Sequence, residues 1–201
     1  MTDESSNQHQ RKMQKLKTAV DAGIAAATDD RGLVLLLTGD GKGKTSSAFG
    51  MVMRSLGYGH KVGVVQFIKG VQLSGEELYL RQQHPEVHFY QMGTGFTWDT
   101  QNRSTDIAAA ERTWAVAAEL LRDASVQLLV LDELTYMLSF KYLDEAMILA
   151  AIRARPPGQT VVITGRGGGS ALRELADTVA EVQDIKHAFR AGIMARKGVD
   201  F

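Results

Sequence analysis

The sequence predicts an α/β protein built on a mostly parallel β-sheet with helices on both faces. Three observations carry that expectation. Short apolar runs begin near residues 33, 62, 87, 126 and 160, and segments of helical periodicity separate them. A glycine-rich turn within Thr38 to Ser47, T-G-D-G-K-G-K-T-S-S, joins the first run to the helix that follows it. The fourth run ends in an acidic pair, Asp132-Glu133.

Residues 1 to about 10 are polar and are expected to be mobile. From Gln10 to Ala27 the positions Met13, Leu16, Val20 and Ile24 recur at three- and four-residue steps, the narrow stripe of an amphipathic helix. Two roles are open to it: an arm packed on its own domain or on a partner subunit, and a lid over a site. Asp29-Asp30-Arg31-Gly32 reads as a turn, which divides the chain into an N-terminal arm, 1–30, and a domain, 31–201.

Leu33 to Leu37 is the first buried strand, and Ala48, Phe49, Met51, Val52 and Leu56 mark the helix beyond the turn. Strand, glycine-rich turn and helix is the setting in which backbone N–H groups and the helix dipole converge on a phosphate. The candidate phosphate-binding residues are Gly39, Asp40, Gly41, Lys42, Gly43, Lys44, Thr45 and Ser46. Glycines let the backbone approach closely, Lys44 brings a positive charge, and Thr45 offers a hydroxyl to Mg²⁺. A standard phosphate loop has glycine where this chain has Thr38, so the loop is one residue tighter or holds its nucleotide unusually.

Lys61 to Ile68 is a second buried strand, Gly75 to Gln83 a short helix stopped at His84-Pro85, and Val87 to Met92 a third strand. A polar loop, Gly93 to Asn102, carries two large aromatics, Phe96 and Trp98. A long helix, Thr105 to Asp123, leads to the strand Val126 to Leu131. An acid at that strand end is the usual companion of a phosphate loop, so Asp132 and Glu133 join Thr45 as candidate metal ligands. Leu143 to Arg153 is helical, and Thr160 to Thr164 is a strand that delivers Arg166 among glycines. A further helix begins at Leu172, and Val179 to Ile185 is placed as an edge strand, whereas Lys186 to Phe201 is too mixed to assign. With right-handed crossovers the C-terminal strand ends share one edge, which brings the loop, the aromatics, the acids and Arg166 together. The fold class is therefore a single-domain, phosphate-loop NTPase-like α/β fold with an N-terminal helical arm.

Twenty-three basic residues balance 23 acidic ones, so no net charge recruits nucleic acid or an anionic membrane. With no cysteine there is no disulfide and no thiolate nucleophile. No apolar run approaches the roughly 20 residues needed to span a bilayer, and a signal peptide is not evident, so a cytoplasmic address is expected. The five histidines show no ligand-like spacing.

Seven segments together resemble the ATP:corrinoid adenosyltransferases of cobalamin biosynthesis and salvage, of the type that acts on cob(I)yrinic acid a,c-diamide. They are G-D-G-K-G-K-T at 39–45, K-V-G-V-V-Q-F-I-K-G at 61–70, T-G-F-T-W-D-T-Q-N at 94–102, L-D-E-L-T-Y at 131–136, T-G-R-G at 164–167, A-D-T-V at 176–179 and K-H-A-F at 186–189. The aromatic loop is the discriminating segment. The resemblance implies transfer of the 5′-deoxyadenosyl group of ATP to cobalt(I), release of triphosphate, and an ATP orientation reversed from that of ordinary hydrolases. It also implies a homodimer and an N-terminal helix that helps close the corrinoid site; the metal expected from Thr45 and the strand-end acids is Mg²⁺, or Mn²⁺ in its place. Phe96 and Trp98 then meet the corrinoid's lower face as catalytic residues, and a flavodoxin or other flavoprotein supplies electrons. On the chemistry of the loop itself, Lys44 is the catalytic cation that stabilises the departing triphosphate, with Arg166 as a further phosphate-binding candidate. Two other classes stay open on the residues alone: an ordinary phosphate-loop hydrolase or kinase, and a nucleotide-gated interaction protein.

Overall fold

A computed structural model of the protein describes residues 3–68, 73–93 and 102–201. The chain divides into two compact units, residues 1–30 and 31–201.

The first unit is one helix, α1 (Asp3–Ala26). It begins well before the periodic stripe, and residues expected to be mobile form its first turns. A lone helix has nothing to bury its stripe against within its own unit, and Met13, Leu16, Val20 and Ile24 are exposed.

The second unit alternates strand and helix: β1 (Val34–Thr38), α2 (Lys44–Gly57), β2 (Val62–Gln66), α3 (Gly75–Gln83), β3 (His88–Gln91), α4 (Arg103–Arg122), β4 (Leu128–Asp132), α5 (Leu134–Ser139), α6 (Glu145–Arg153), β5 (Thr160–Thr164), α7 (Gly169–Leu175) and β6 (Thr178–Glu181). A short 3₁₀ turn, Ala188–Ala191, follows. The strands form one sheet in the order β3-β2-β4-β5-β1-β6, and every pairing is parallel. The edge strand is shorter than the sequence suggests and starts a residue earlier; its four residues are all exposed.

Successive strand residues point to opposite faces, and both faces are covered. On one face Leu36, Leu129, Leu131 and Ile163 pack with Trp114, Leu121, Met137, Ile148 and Leu172 of α4 to α7. On the other, Leu37, Val64, Val130 and Val162 pack with Ala48, Phe49 and Val52 of α2 and Leu80 of α3. Caps fix where three helices begin. The N–H of Glu77 donates to Ser74 Oγ, that of Thr105 to Asn102 Oδ1 and that of Met147 to Asp144 Oδ1.

The strand order sets the site. β5 lies between β1, which leads into the phosphate loop, and β4, which ends in the acids. Parallel register then puts the C-terminal ends of all three strands on one edge.

Candidate active site

The loop after β1 enters α2 through Gly43, whose φ of 122° a side chain resists and which offers no cap. The first amides of α2 therefore have no side-chain acceptor and, with the helix dipole, make an anion site. Gly39 and Gly41 serve a different purpose. A Cβ on Gly39 would lie 2.4 Å from the carbonyl oxygen of Val182, and one on Gly41 2.5 Å from that of Gln183. The N–H of Gly41 donates to Val182 O at 2.7 Å, so this amide is engaged by the segment leaving β6. The tightness of T-G-D-G-K-G-K-T reflects backbone crossing backbone.

Lys44 is buried and its ammonium donates to Gly41 O at 2.7 Å. Burial lowers its pKa below the ordinary lysine value of 10.5, and the nearby Glu133 carboxylate opposes that shift. The Thr45 hydroxyl donates to Asp132 Oδ1 at 2.9 Å. Thr164, at the end of the intervening β5, donates to the same oxygen at 2.6 Å, and Gln66 Nε2 donates to Asp132 Oδ2 at 2.8 Å. Asp132 is thus a buried acceptor behind Thr45.

Glu133 turns the other way. Its backbone is left-handed (φ 60°, ψ 23°), its N–H donates to Thr164 Oγ1, and its side chain lines the cavity. A non-glycine residue in that conformation costs about 1–2 kcal/mol. Gly165 makes room for it, since a Cβ there would lie 2.0 Å from Thr135 Oγ1 and 3.1 Å from Glu133 Oε2.

These pieces surround a cavity of about 590 Å³. Asp40, Gly41, Lys42, Gly43, Lys44, Thr45 and Ser46 line one side, with Glu133 and Arg166 close by. Arg166 Nε lies 3.7 Å from Asp40 Oδ1. Of the candidate residues, Gly39 and Asp132 stand behind the lining, and Phe96 and Trp98 lie outside the described residues. The sequence reading missed Ser74 to Glu76, Tyr136, His187 and residues 198–201, all of which line the cavity. Tyr136 was within reach of a pattern argument, since it lies in the first turn of the helix that follows Glu133 and its N–H donates to Glu133 O at 3.3 Å. His187 Nδ1 accepts the N–H of Phe189, which leaves Nε2 to carry the proton in the neutral ring.

An all-parallel sheet, a glycine turn into a helix at its C-terminal edge, and a threonine bonded to a strand-end aspartate define a phosphate-loop nucleotide-binding protein. Among proteins of that class, the family model for ATP:corrinoid adenosyltransferases BtuR/CobO/CobP matches residues 30–201. A second, for the cob(I)alamin adenosyltransferase N terminal, matches residues 1–24. The chain belongs to the ATP:corrinoid adenosyltransferase family. It is 54% identical over 198 residues to a corrinoid adenosyltransferase of Pseudomonas aeruginosa, covering 98% of each chain. To the corrinoid adenosyltransferase of Escherichia coli K12 it is 48% identical over 98% of this chain and 100% of that one. To corrinoid adenosyltransferase CobA of Salmonella typhimurium it is 47% identical, with the same coverage.

Proposed function

We propose that the cavity holds ATP with its triphosphate on the phosphate loop, and that the 5′-deoxyadenosyl group passes from it to the cobalt(I) of a corrinoid. The observation that carries this is family membership across residues 30–201, which makes the chain an ATP-dependent corrinoid adenosyltransferase. In that reaction the cobalt electron pair attacks the 5′ carbon. The cobalt–carbon bond forms as the carbon–oxygen bond breaks, and the oxygen leaves with the bonding pair as part of intact triphosphate.

A cobalt(I) nucleophile needs no general base, which accords with a chain that has no cysteine. The protein's tasks are to hold the 5′ carbon in line with cobalt and to stabilise charge on the leaving triphosphate. Lys44 and the amide end of α2 meet that charge, and Arg166 joins them. Thr45 and Glu133 supply hard oxygen donors at the cavity wall and suit Mg²⁺, or Mn²⁺, with Asp132 acting through the Thr45 hydroxyl. The bound ion would add positive charge beside the phosphates.

By resemblance of the 94–102 segment to the adenosyltransferase loop, Phe96 and Trp98 would keep an axial ligand off cobalt(II), favouring the four-coordinate form that a flavodoxin or other flavoprotein can reduce. The 1–30 arm closes the corrinoid site in a homodimer, and the enzyme works in the cytoplasm. Among the described residues no helix is long and apolar enough to cross a membrane.

The experiment is anaerobic incubation of the protein with ATP, Mg²⁺ and chemically reduced cobalamin, followed by assay of cobalt–carbon product and released phosphates. Light-sensitive adenosylated corrinoid with intact triphosphate is expected. ADP and orthophosphate with unchanged corrinoid would overturn the proposal.

A further inference from the structure

Among the described residues that line the cavity, carboxylates outnumber fixed cations: Asp40, Glu76, Glu133 and Asp200 stand against Lys42, Lys44 and Arg166. That balance is unexpected where a highly charged triphosphate must sit, because each carboxylate near it repels it. Three of these four acids act on the cations. Lys42 Nζ lies 2.9 Å from Asp200 Oδ1, Arg166 Nε lies 3.7 Å from Asp40 Oδ1, and the Glu133 carboxylate acts electrostatically on Lys44.

Asp200 is the best anchored of these pairings. Its Oδ2 accepts the N–H of Arg196 at 2.8 Å, its own N–H donates to Arg196 O at 2.8 Å, and the N–H of Gly198 donates to Phe201 O at 2.8 Å. This turn supplies Gly198 to Phe201 as one wall of the cavity. The carboxylate is therefore held toward the phosphate loop by its own backbone.

We propose that Asp200 sets the balance between binding ATP and releasing triphosphate: it holds Lys42 in the empty site, yields it to phosphate, and weakens the grip on the free product. This inference rests on the placement of ATP given above. The chemistry makes the effect unequal for substrate and product. Cleavage at the 5′ carbon turns an ester oxygen into a charged one, so the product carries more negative charge than ATP on the same phosphates. It has also lost whatever the adenosine contributed to binding. Cations alone would retain it; a fixed carboxylate on Lys42 disfavours the more charged ligand more strongly.

The test is calorimetric titration of the full chain in Mg²⁺ with inorganic tripolyphosphate, and with ATP in the absence of corrinoid. Asp200→Asn keeps an oxygen for the Arg196 amide and removes the charge. It is expected to bind tripolyphosphate about three- to tenfold more tightly than wild type, with a smaller gain for ATP. Removing the lysine first, as Lys42→Met, should shrink the gain given by Asp200→Asn, because the two groups act as a pair. A tripolyphosphate affinity that is unchanged or weaker in Asp200→Asn, while Lys44→Ala weakens it, overturns this inference alone. Should Lys44→Ala bind tripolyphosphate as wild type does, the cavity is not the triphosphate site and both readings fall.

Discussion

The Thr45 hydroxyl donates to Asp132 Oδ1 at 2.9 Å, across a strand that itself sends Thr164 to the same oxygen. The two residues leave the sheet from β1 and β4, which are not neighbours, and only the insertion of β5 between them brings a second hydroxyl to the carboxylate. One consequence is a division of labour between adjacent acids. Asp132 orients Thr45 from behind, while Glu133, reversed by its left-handed backbone, lines the cavity.

Replacing the two acids should therefore give different phenotypes. Asp132→Ala strands the hydroxyls of Thr45 and Thr164 and the amide of Gln66, so stability should fall by about 1–3 kcal/mol along with activity. Glu133→Gln should leave the melting temperature nearly unchanged and raise the Mg²⁺ concentration needed for half-maximal activity. Thermal melts and a Mg²⁺ titration of both variants check this; an unchanged titration for Glu133→Gln removes that residue from the metal site.

Lys44 is a buried cation whose pKa burial lowers. Lys44→Ala should cripple ATP use even when cobalt(I) is supplied chemically, since the lost contact is with phosphate. The pH dependence has a definite sign. The charged form binds phosphate, so the contribution of Lys44 to ATP affinity is present below its lowered value and declines as the pH rises through that value, before 10.5 is reached. Titration calorimetry across alkaline pH measures it, and the decline should be missing in Lys44→Ala.

Trp98 is implicated by the resemblance of T-G-F-T-W-D-T-Q-N to the adenosyltransferase loop and by the apolar character of its ring. Trp98→Ala should keep ATP affinity and lose adenosylation of cobalt(II) substrate under a mild reductant. Supplying cobalt(I) chemically should restore much of the rate. Equal rates for mutant and wild type with cobalt(II) would dismiss the role.

Much of this was legible in residues because local chemistry dictated it. An apolar run before a glycine turn can become only a few things, and G-K-T at a helix start and D-E at a strand end both carry a positional meaning. Those signals, with the shared edge of parallel strand ends for Arg166, point Lys44, Thr45, Glu133 and Arg166 to one place, and all four line the cavity. What stayed hidden depends on contacts between distant segments. Gly39 and Gly41 read as phosphate-binding glycines, yet their lack of a side chain is required by Val182 and Gln183, about 140 residues on. Residues 186–201 have neither helical nor strand periodicity, because hydrogen-bonded turns order them. The sequence also offers no period from which to infer that Asp200 meets Lys42.

Arg31 and Asp177 make a two-point ion pair, with Nη1 to Oδ2 at 3.0 Å and Nη2 to Oδ1 at 2.6 Å, and the N–H of Val34 also donates to Oδ2. The Arg31 hydrogen bonds, then the Val34 amide, lower the Asp177 pKa from 3.8 to about 2. A depressed carboxylate contributes stability above its unfolded value and loses it as the pH falls through its folded one. Wild-type stability should thus decline between 3.8 and about 2. Arg31→Ala should show a shallower decline over that range, measured by denaturant unfolding at each pH, with adenosylation at neutral pH retained.

Gly41 tests whether the crossing of the phosphate loop by the chain after β6 matters to nucleotide binding. A Cβ there would lie 2.5 Å from Gln183 O and 2.7 Å from both Gln183 C and Val182 O, all of them backbone atoms with no rotamer to yield. Gly41→Ala must therefore move the loop or push residues 182–183 away, breaking the 2.7 Å bond from the Gly41 amide to Val182 O. Overpacking of this kind costs about 1–3 kcal/mol. Because residues 198–201 line the same cavity, the displacement should also weaken ATP binding and expose the segment beyond Val182 to protease. Gly57→Ala is the matched control: nothing lies within 4 Å of its added Cβ and it ends α2, so stability should hold or rise slightly. If Gly41→Ala binds ATP and resists protease as Gly57→Ala does, the crossing is incidental to the site. If both properties fail together, the chain beyond β6 is a structural wall of the nucleotide pocket.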